Sequence, residues 1–244
     1  MANLSDMHVH IDYIEDYLRF FKTFEDNRIY ALFVTNLPEI FQKCNQTFPN
    51  SKYVKLGLGF NPQFAGKYKF NKGLFDNLLP KTKYIGEVGL DYSNEFKANR
   101  ESQREAFEHI SHQAGQLNKI MSIHSRKAEE DVLNILMNNN VKTAVFHWYT
   151  GKKETLFKIL DQGYYFSVNY SMLNTKSGLE IINLIPLDRV LIETDAPFGK
   201  TFISGEKYNL TEIYRRFSNK LGIESLEDQI YKNLSDLLLT NSKL

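Results

Sequence analysis

The sequence predicts an α/β protein, a TIM-type (β/α)8 barrel with an extra C-terminal helix, and three observations lead there. Short apolar, β-branched runs alternate with amphipathic helical stretches eight times along the chain, the pattern of a parallel sheet covered by helices. Neither a GxGxxG nor a GxxxxGK[ST] stretch follows the first strand, which weighs against the nucleotide-binding open sheets. Residues with metal-ligand chemistry recur at the C-terminal ends of the strands, where a closed barrel gathers its functional groups.

The first strand ends in Asp6-Met7-His8-Val9-His10, followed by a helix from Tyr13 to Glu25 with Tyr17, Phe20, Phe21 and Phe24 at helical spacing. Ile29 to Thr35 reads as the second strand, and a short helix from about Pro38 leads to the third, Tyr53 to Phe60. A helix over about Phe70 to Leu79 precedes the fourth strand, Tyr84 to Val88. The longest helix, about Asn99 to Leu117, precedes the fifth, Ile120 to His124. Ala128 to Met137 forms the next helix and Val141 to His147 the sixth strand. Helix 153 to 161, strand Tyr164 to Val168, helix 177 to 184 and strand Arg189 to Glu193 complete the repeat. Two helical segments, about 209 to 220 and 225 to 239, close the chain. No linker-like or low-complexity stretch divides it, so residues 1–244 read as one barrel domain.

The 30 Lys and Arg against 29 Asp and Glu leave a net charge of +1, which excludes the global cationic field of an indiscriminate polyanion binder. A nucleic-acid substrate would have to be held by a local patch or by metal ions. Cys44 stands alone, so no intrachain disulfide forms, and nothing nearby suggests an activated nucleophile. The N-terminal residues lack a basic stretch followed by an apolar one, and no apolar run reaches the ~20 residues that span a bilayer, so a cytoplasmic protein without membrane contact is expected.

The chemistry lies in the strand ends. His8 and His10 close strand one, Glu87 strand four, His124 strand five and His147 strand six, and Asp195 follows strand eight. Alternation along a strand turns residues i and i+2 to one face, so His8 and His10 point into one site. A lone histidine at a strand end is most often a hydrogen-bonded structural residue, but four in the same slot form a constellation. His109 and His112 on the long helix, beside Glu108 and Gln113, read as a solvated face instead. His, Glu and Asp without cysteine suit Zn²⁺, Mn²⁺ or similar ions. Six such residues suffice for two ions with Glu87 shared, and ions about 3.5–4 Å apart support hydrolysis by an activated water.

HVHID at 8–12, GEVGLDY at 86–92, the helix with Gln103 and Phe107, SIHSRKAEED at 122–131, FHWYTG at 146–151 and LDRVLIETDAPF at 187–198 together resemble the TatD-related metal-dependent hydrolases, in order and over nearly the whole chain. The resemblance implies a TIM barrel with two divalent ions, Mg²⁺, Mn²⁺ or Zn²⁺. It implies that His8, His10, Glu87 and Asp195 surround one ion and Glu87, His124 and His147 the other. It further implies a DNase of the 3′-5′ exonuclease type acting on single strands or 3′ ends, with Asp195 taking the proton of the attacking water.

Around these positions, Arg126 is expected to clamp a phosphate, or else to pair with Glu129 or Glu130 at a helix start. Asp12 is expected to orient a ligand histidine, to cap the first helix, or both. Trp148, Tyr149 and Tyr92 follow ligand positions and are candidates for stacking on a base at the mouth. The chain departs from the family at Gly59-Phe60-Asn61-Pro62, where a histidine usually stands in place of Asn61. Asn61 is expected to contact substrate at that position, where an amide hydrogen-bonds but neither charges nor shuttles a proton. It departs again after Asp195, where the loop carries Lys200 and Lys207 as further candidates for phosphate contact. Two alternatives stay open. The same scaffold can hydrolyse an amide, ester or cyclic imide, or the chain can serve as a nucleic-acid- or protein-binding component of a larger system such as phage defence.

Overall fold

The computed structural model describes residues 4–198 and 209–243, and Lys200 and Lys207 lie outside them. Eight parallel strands follow in chain order: β1 Ser5–His10, β2 Tyr30–Val34, β3 Val54–Leu58, β4 Tyr84–Gly89, β5 Ile120–His124, β6 Thr143–His147, β7 Tyr165–Asn169 and β8 Val190–Glu193. The helices that cover them are α1 Tyr17–Asn27, α2 Pro38–Thr47, α3 Lys72–Leu78, α4 Arg100–Gln116, α5 Glu129–Asn138, α6 Lys153–Asp161, α7 Lys176–Leu184 and α8 Leu210–Leu221, with α9 Leu226–Lys243 as the additional one. The sheet closes where the chain beyond β8 returns to β1. Val9 pairs with Ala196, Asp195 N donates to His8 O at 2.9 Å, and His10 N donates to Ala196 O at 2.8 Å. The predicted TIM barrel is the observed fold.

Asp6 locks that closure. Its carboxylate, fully buried, accepts from Thr194 N at 2.9 Å and Thr194 Oγ1 at 2.6 Å. The first helix begins later than its periodicity predicts. Residues 11–13 form a 3-10 turn, and Asp16 rather than Asp12 caps α1, accepting from Arg19 N at 3.2 Å.

The core has two parts. One lies between the strands and the surrounding helices, with Phe24, Phe33, Phe41, Phe75, Phe107 and Phe146 among its fully buried rings. The other fills the lower barrel, where Met7, Leu32, Tyr84, Ile120, Val145 and Leu191 meet Leu234 and Leu237 of α9. The added helix therefore plugs the end of the barrel opposite the strand C-termini. Among the described residues no helix is long and apolar enough to cross a membrane.

Two strands break strict alternation, and both carry site residues. In β4 the register slips between Ile85 and Val88, so that Tyr84 joins the lower core while Glu87, three residues on, turns to the upper interior. In β1 the slip falls between Asp6 and Val9, a stretch that contains His8 and leads into His10. Irregularities of this kind re-aim side chains at a barrel rim. At Gly89 the φ of 136° and a would-be Cβ only 1.9 Å from His124 O leave room for hydrogen alone. Glycine lets β4 and β5 approach there, beside Glu87 and His124.

Cys44 on α2 is partly buried, and burial pushes its thiol up to about 11. Because the thiolate is the reactive form, alkylation by iodoacetamide is expected to be slow at pH 8 and to quicken about tenfold per pH unit until pH approaches 11. A rate that levels off near pH 9 would contradict this environment.

Candidate metal centre

The six strand-end residues meet at the upper mouth of the barrel. Glu87 is the hub, buried, with Oε1 2.7 Å from His124 Nδ1 and 3.0 Å from His147 Nε2. Its Oε2 accepts from Asn61 Nδ2 and lies 3.4 Å from His10 Nε2. His8 Nε2 and His10 Nε2 face each other at 3.3 Å, with Asp195 Oδ1 3.7 Å from the first and 3.3 Å from the second. His8 stacks on His147 with ring centres 3.9 Å apart. Donor atoms of His8, His10 and Asp195 all lie within 4.8 Å of one another, as do those of His8, Glu87 and His147.

The outer nitrogens of three of these imidazoles are already engaged. Ser122 Oγ holds His8 Nδ1 at 2.8 Å, Asp91 Oδ2 holds His124 Nε2 at 2.9 Å, and Glu193 Oε1 lies 3.4 Å from His147 Nδ1. Each ring therefore turns its other nitrogen inward, the arrangement by which partner groups orient metal-binding histidines. Asp195 Oδ1 and His10 Nδ1 are buried and have no hydrogen-bond partner, and a buried polar atom left so is costly unless something else occupies it. The residues fit a divalent cation: borderline nitrogen and hard oxygen donors, inward-aimed, with an unpartnered carboxylate oxygen among them.

The electrostatics agree. Burial, with the neighbouring His147, holds the His8 imidazole well below the ordinary histidine value, in the neutral form that binds metal. Burial alone would raise Glu87, but hydrogen bonds from His124 and His147 hold its carboxyl well below the usual range and keep it anionic. Burial likewise opposes charge on His147, yet the Glu193 carboxylate and then Glu87 outweigh it and raise its pKa well above the usual value. Carboxylates buried at this density call for positive charge.

Three of the seven non-glycine residues with positive φ among the described residues stand at the same rim. Lys127, Trp148 and Asp195, on the loops after β5, β6 and β8, have φ of 56°, 38° and 55°. Non-glycine residues in the left-handed region cost about 1–2 kcal/mol each. Such outliers cluster where a site over-determines the backbone.

The model of the family described as TatD related DNase matches residues 5–239. The chain belongs to the TatD family. It is accordingly a metal-dependent hydrolase, and its His, Glu and Asp cluster is one that could hold metal. An uncharacterized metal-dependent hydrolase of Buchnera aphidicola is 31% identical over 218 residues, 80% of this chain and 81% of that protein. A human 3′-5′ RNA nuclease, TATDN2, is 29% identical over 79% of this chain, which spans only 28% of the human protein's length. The crystal structure of a TatD family hydrolase from Entamoeba histolytica superimposes with a TM-score of 0.78 at 19% identity, covering 97% of this chain and 98% of that one.

In this TatD-family hydrolase a cavity of about 670 Å³ opens above the cluster, lined among others by Asn61, Arg126, Lys127, Trp148, Tyr13 and Phe198. Arg126 is exposed there and forms no ion pair among the described residues, because Glu130 pairs with Lys158 at 3.1 Å and Glu129 accepts from Lys127 N. Trp148 is partly buried and lines the cavity. Tyr149 does not, since its ring is buried against Phe146 and Phe166. Tyr92 is held outside the cavity, its hydroxyl donating to Asp131 at 3.0 Å and its ring lying under Arg100. His109 bonds Asp76 at 2.7 Å, while His112 is exposed on α4.

Asn61, expected to contact substrate, lines the cavity but is buried with both ends of its amide bonded to protein groups. Its Nδ2 donates to Glu87 and, at 2.8 Å, to Asn36 Oδ1, while its Oδ1 accepts from Gln63 N. Asn36 Nδ2 in turn donates to Asp12 Oδ2 at 2.6 Å, so a chain of amides ties Asp12 to Glu87. Asp12 neither bonds His10, whose Nδ1 is unpartnered, nor caps α1.

Asp91 and Glu193 carry no local signal that sets them apart, although both stand within the quoted stretches, four residues past Glu87 and two before Asp195. Asp91→Asn and Glu193→Gln are each expected to weaken divalent-metal affinity about 10- to 100-fold, measured by competition with a chromogenic chelator. Unchanged affinity in both would mean that these carboxylates do not orient their histidines for metal.

Proposed function

We propose that the chain is a metal-dependent deoxyribonuclease of the 3′-5′ exonuclease type. The observation that carries the reading is the convergence of inward-aimed nitrogen and carboxylate donors, with Asp195 Oδ1 among them lacking a hydrogen-bond partner, beneath a nucleotide-sized cavity. His8, His10, Glu87 and Asp195 would hold one divalent ion, and Glu87, His124 and His147 a second, with Mg²⁺, Mn²⁺ and Zn²⁺ as candidates. The His8 ring, stacked on His147, also lies within reach of the second group. When bound, such ions supply Lewis acidity toward a phosphodiester oxygen and acidify water at neutral pH.

The chain's own groups do the rest. Asp195 Oδ1, buried and without a donor, accepts the proton of the water that attacks phosphorus. The P–O3′ bond breaks, the leaving oxygen takes a proton from solvent, and a 5′-mononucleotide is released. Arg126, free of carboxylates among the described residues, donates in a fork to the neighbouring phosphate. Trp148 offers its face to a base. Asn61 holds the Glu87 carboxylate in place. A volume of about 670 Å³ suits a nucleotide or two of an unpaired strand rather than a duplex, which supports attack at strand ends. The family's description as DNase supports DNA, and the human relative's name makes RNA the second substrate to test.

The test incubates metal-reconstituted protein with 5′-labelled single- and double-stranded DNA and RNA. Shortening of single-stranded DNA from its 3′ end, with release of 5′-mononucleotides, is expected. If no strand is shortened with Mg²⁺, Mn²⁺ or Zn²⁺, the nuclease reading falls.

A further inference from the structure

The mouth of the barrel has two unlike walls. Tyr13, just beyond β1, and Phe198, just beyond β8, pack edge to face with ring centres 4.9 Å apart. Each also meets the His10 ring edge-on, at 5.8 and 5.1 Å. Both line the cavity, and both stay exposed, at 46% and 41%, in a chain that buries most of its phenylalanines. In the strand order β1 and β8 lie across the barrel from β5, whose following residues Arg126 and Lys127 bring cationic groups into the same cavity. The His and carboxylate cluster lies between the two walls. From one side to the other the cavity therefore offers flat apolar rings, a centre suited to a phosphodiester, and cations. That is the order of parts in a terminal nucleotide and the phosphate that follows it: base, scissile phosphate, next phosphate.

We propose that the Tyr13 and Phe198 pair is the stacking site for the nucleobase of the terminal nucleotide, an inference that rests on the nuclease reading above. Every base has a π face, so the site is tolerant of sequence, but it demands a base that is not paired. Discrimination between frayed and blunt ends then originates at these two rings. A role confined to shielding His10 would affect all ligands of the centre alike, and base dependence separates the two.

The test compares two ligands that share a phosphate and differ by the base, deoxyadenosine 5′-monophosphate and 2-deoxyribose 5-phosphate, titrated calorimetrically into Mn²⁺-loaded protein. The wild type is expected to bind the nucleotide about fivefold tighter or more, the lower end of base–aromatic stacking. Tyr13→Ala and Phe198→Ala are expected to lose most of that preference while keeping their affinity for the sugar phosphate, and Tyr13→Phe to retain it. Both side chains are exposed, so the variants fold. The proposal is overturned if the wild type binds neither ligand or both equally, if the preference survives in both alanine variants, or if both affinities fall in proportion. Turnover is not needed, so a failure here is distinct from failure to shorten any strand.

Discussion

Glu87→Ala is expected to remove both bound metal and hydrolysis, the latter by about a thousandfold or more, since it deletes the carboxylate proposed to serve both ions. The geometry sets the size of the effect. Glu87 touches His124, His147, His10 and Asn61, and without it His124 Nδ1 and His147 Nε2 face each other at 3.4 Å with no anion between them. Asp195→Asn separates binding from proton transfer. It keeps the shape and an oxygen donor but not the proton acceptor, so kcat should fall about 10²- to 10⁴-fold with a smaller loss of metal. Metal content by elemental analysis and rates on a labelled oligonucleotide check both. If wild type and both variants give the same products at the same rate, the centre has been placed wrongly.

Leu237→Ala is expected to destabilise the protein by about 2–5 kcal/mol, the usual cost of a cavity where a buried leucine stood. Leu237 is fully buried with Leu234 against Met7, Leu32, Tyr84 and Leu191, so the cavity opens at the closed end of the barrel, away from the catalytic mouth. For a chain of this length that amounts to roughly 4–20 °C in Tm. Leu239 on the same helix is 54% exposed, and its alanine variant should shift stability by no more than about 0.5 kcal/mol. Thermal unfolding of the two variants side by side is the measurement. Equal shifts would mean that α9 does not seal the barrel.

The order of strands and helices was legible because each is announced by a local period, two for a strand and 3.6 for a helix. Boundaries slipped where a cap overrode periodicity. The run from Tyr13 reads as helix, but Asp16 starts α1 and leaves Tyr13 in the turn that delivers it to the mouth. The six strand-end residues were legible as a set because parallel strands in a closed barrel deliver their C-terminal ends to one rim. Their partners were not. Asp91 and Glu193 are ordinary carboxylates until the fold sets them behind His124 and His147. Tyr92 and Tyr149 follow site residues as directly as Trp148 does, yet Asp131 holds one and the core the other.

What the sequence alone determined, then, is the alternation of strands and helices and which strands close in ligand chemistry, because both are properties of neighbouring residues. The tertiary structure decided which nitrogen of each histidine faces inward and that Glu87 turns up while Tyr84 turns down. It also set an aromatic wall across from a cationic one. Register slips in β1 and β4 and closures such as Asp6 to Thr194, 188 positions apart, set these outcomes. Their energies come from contacts that exist only once the barrel is shut.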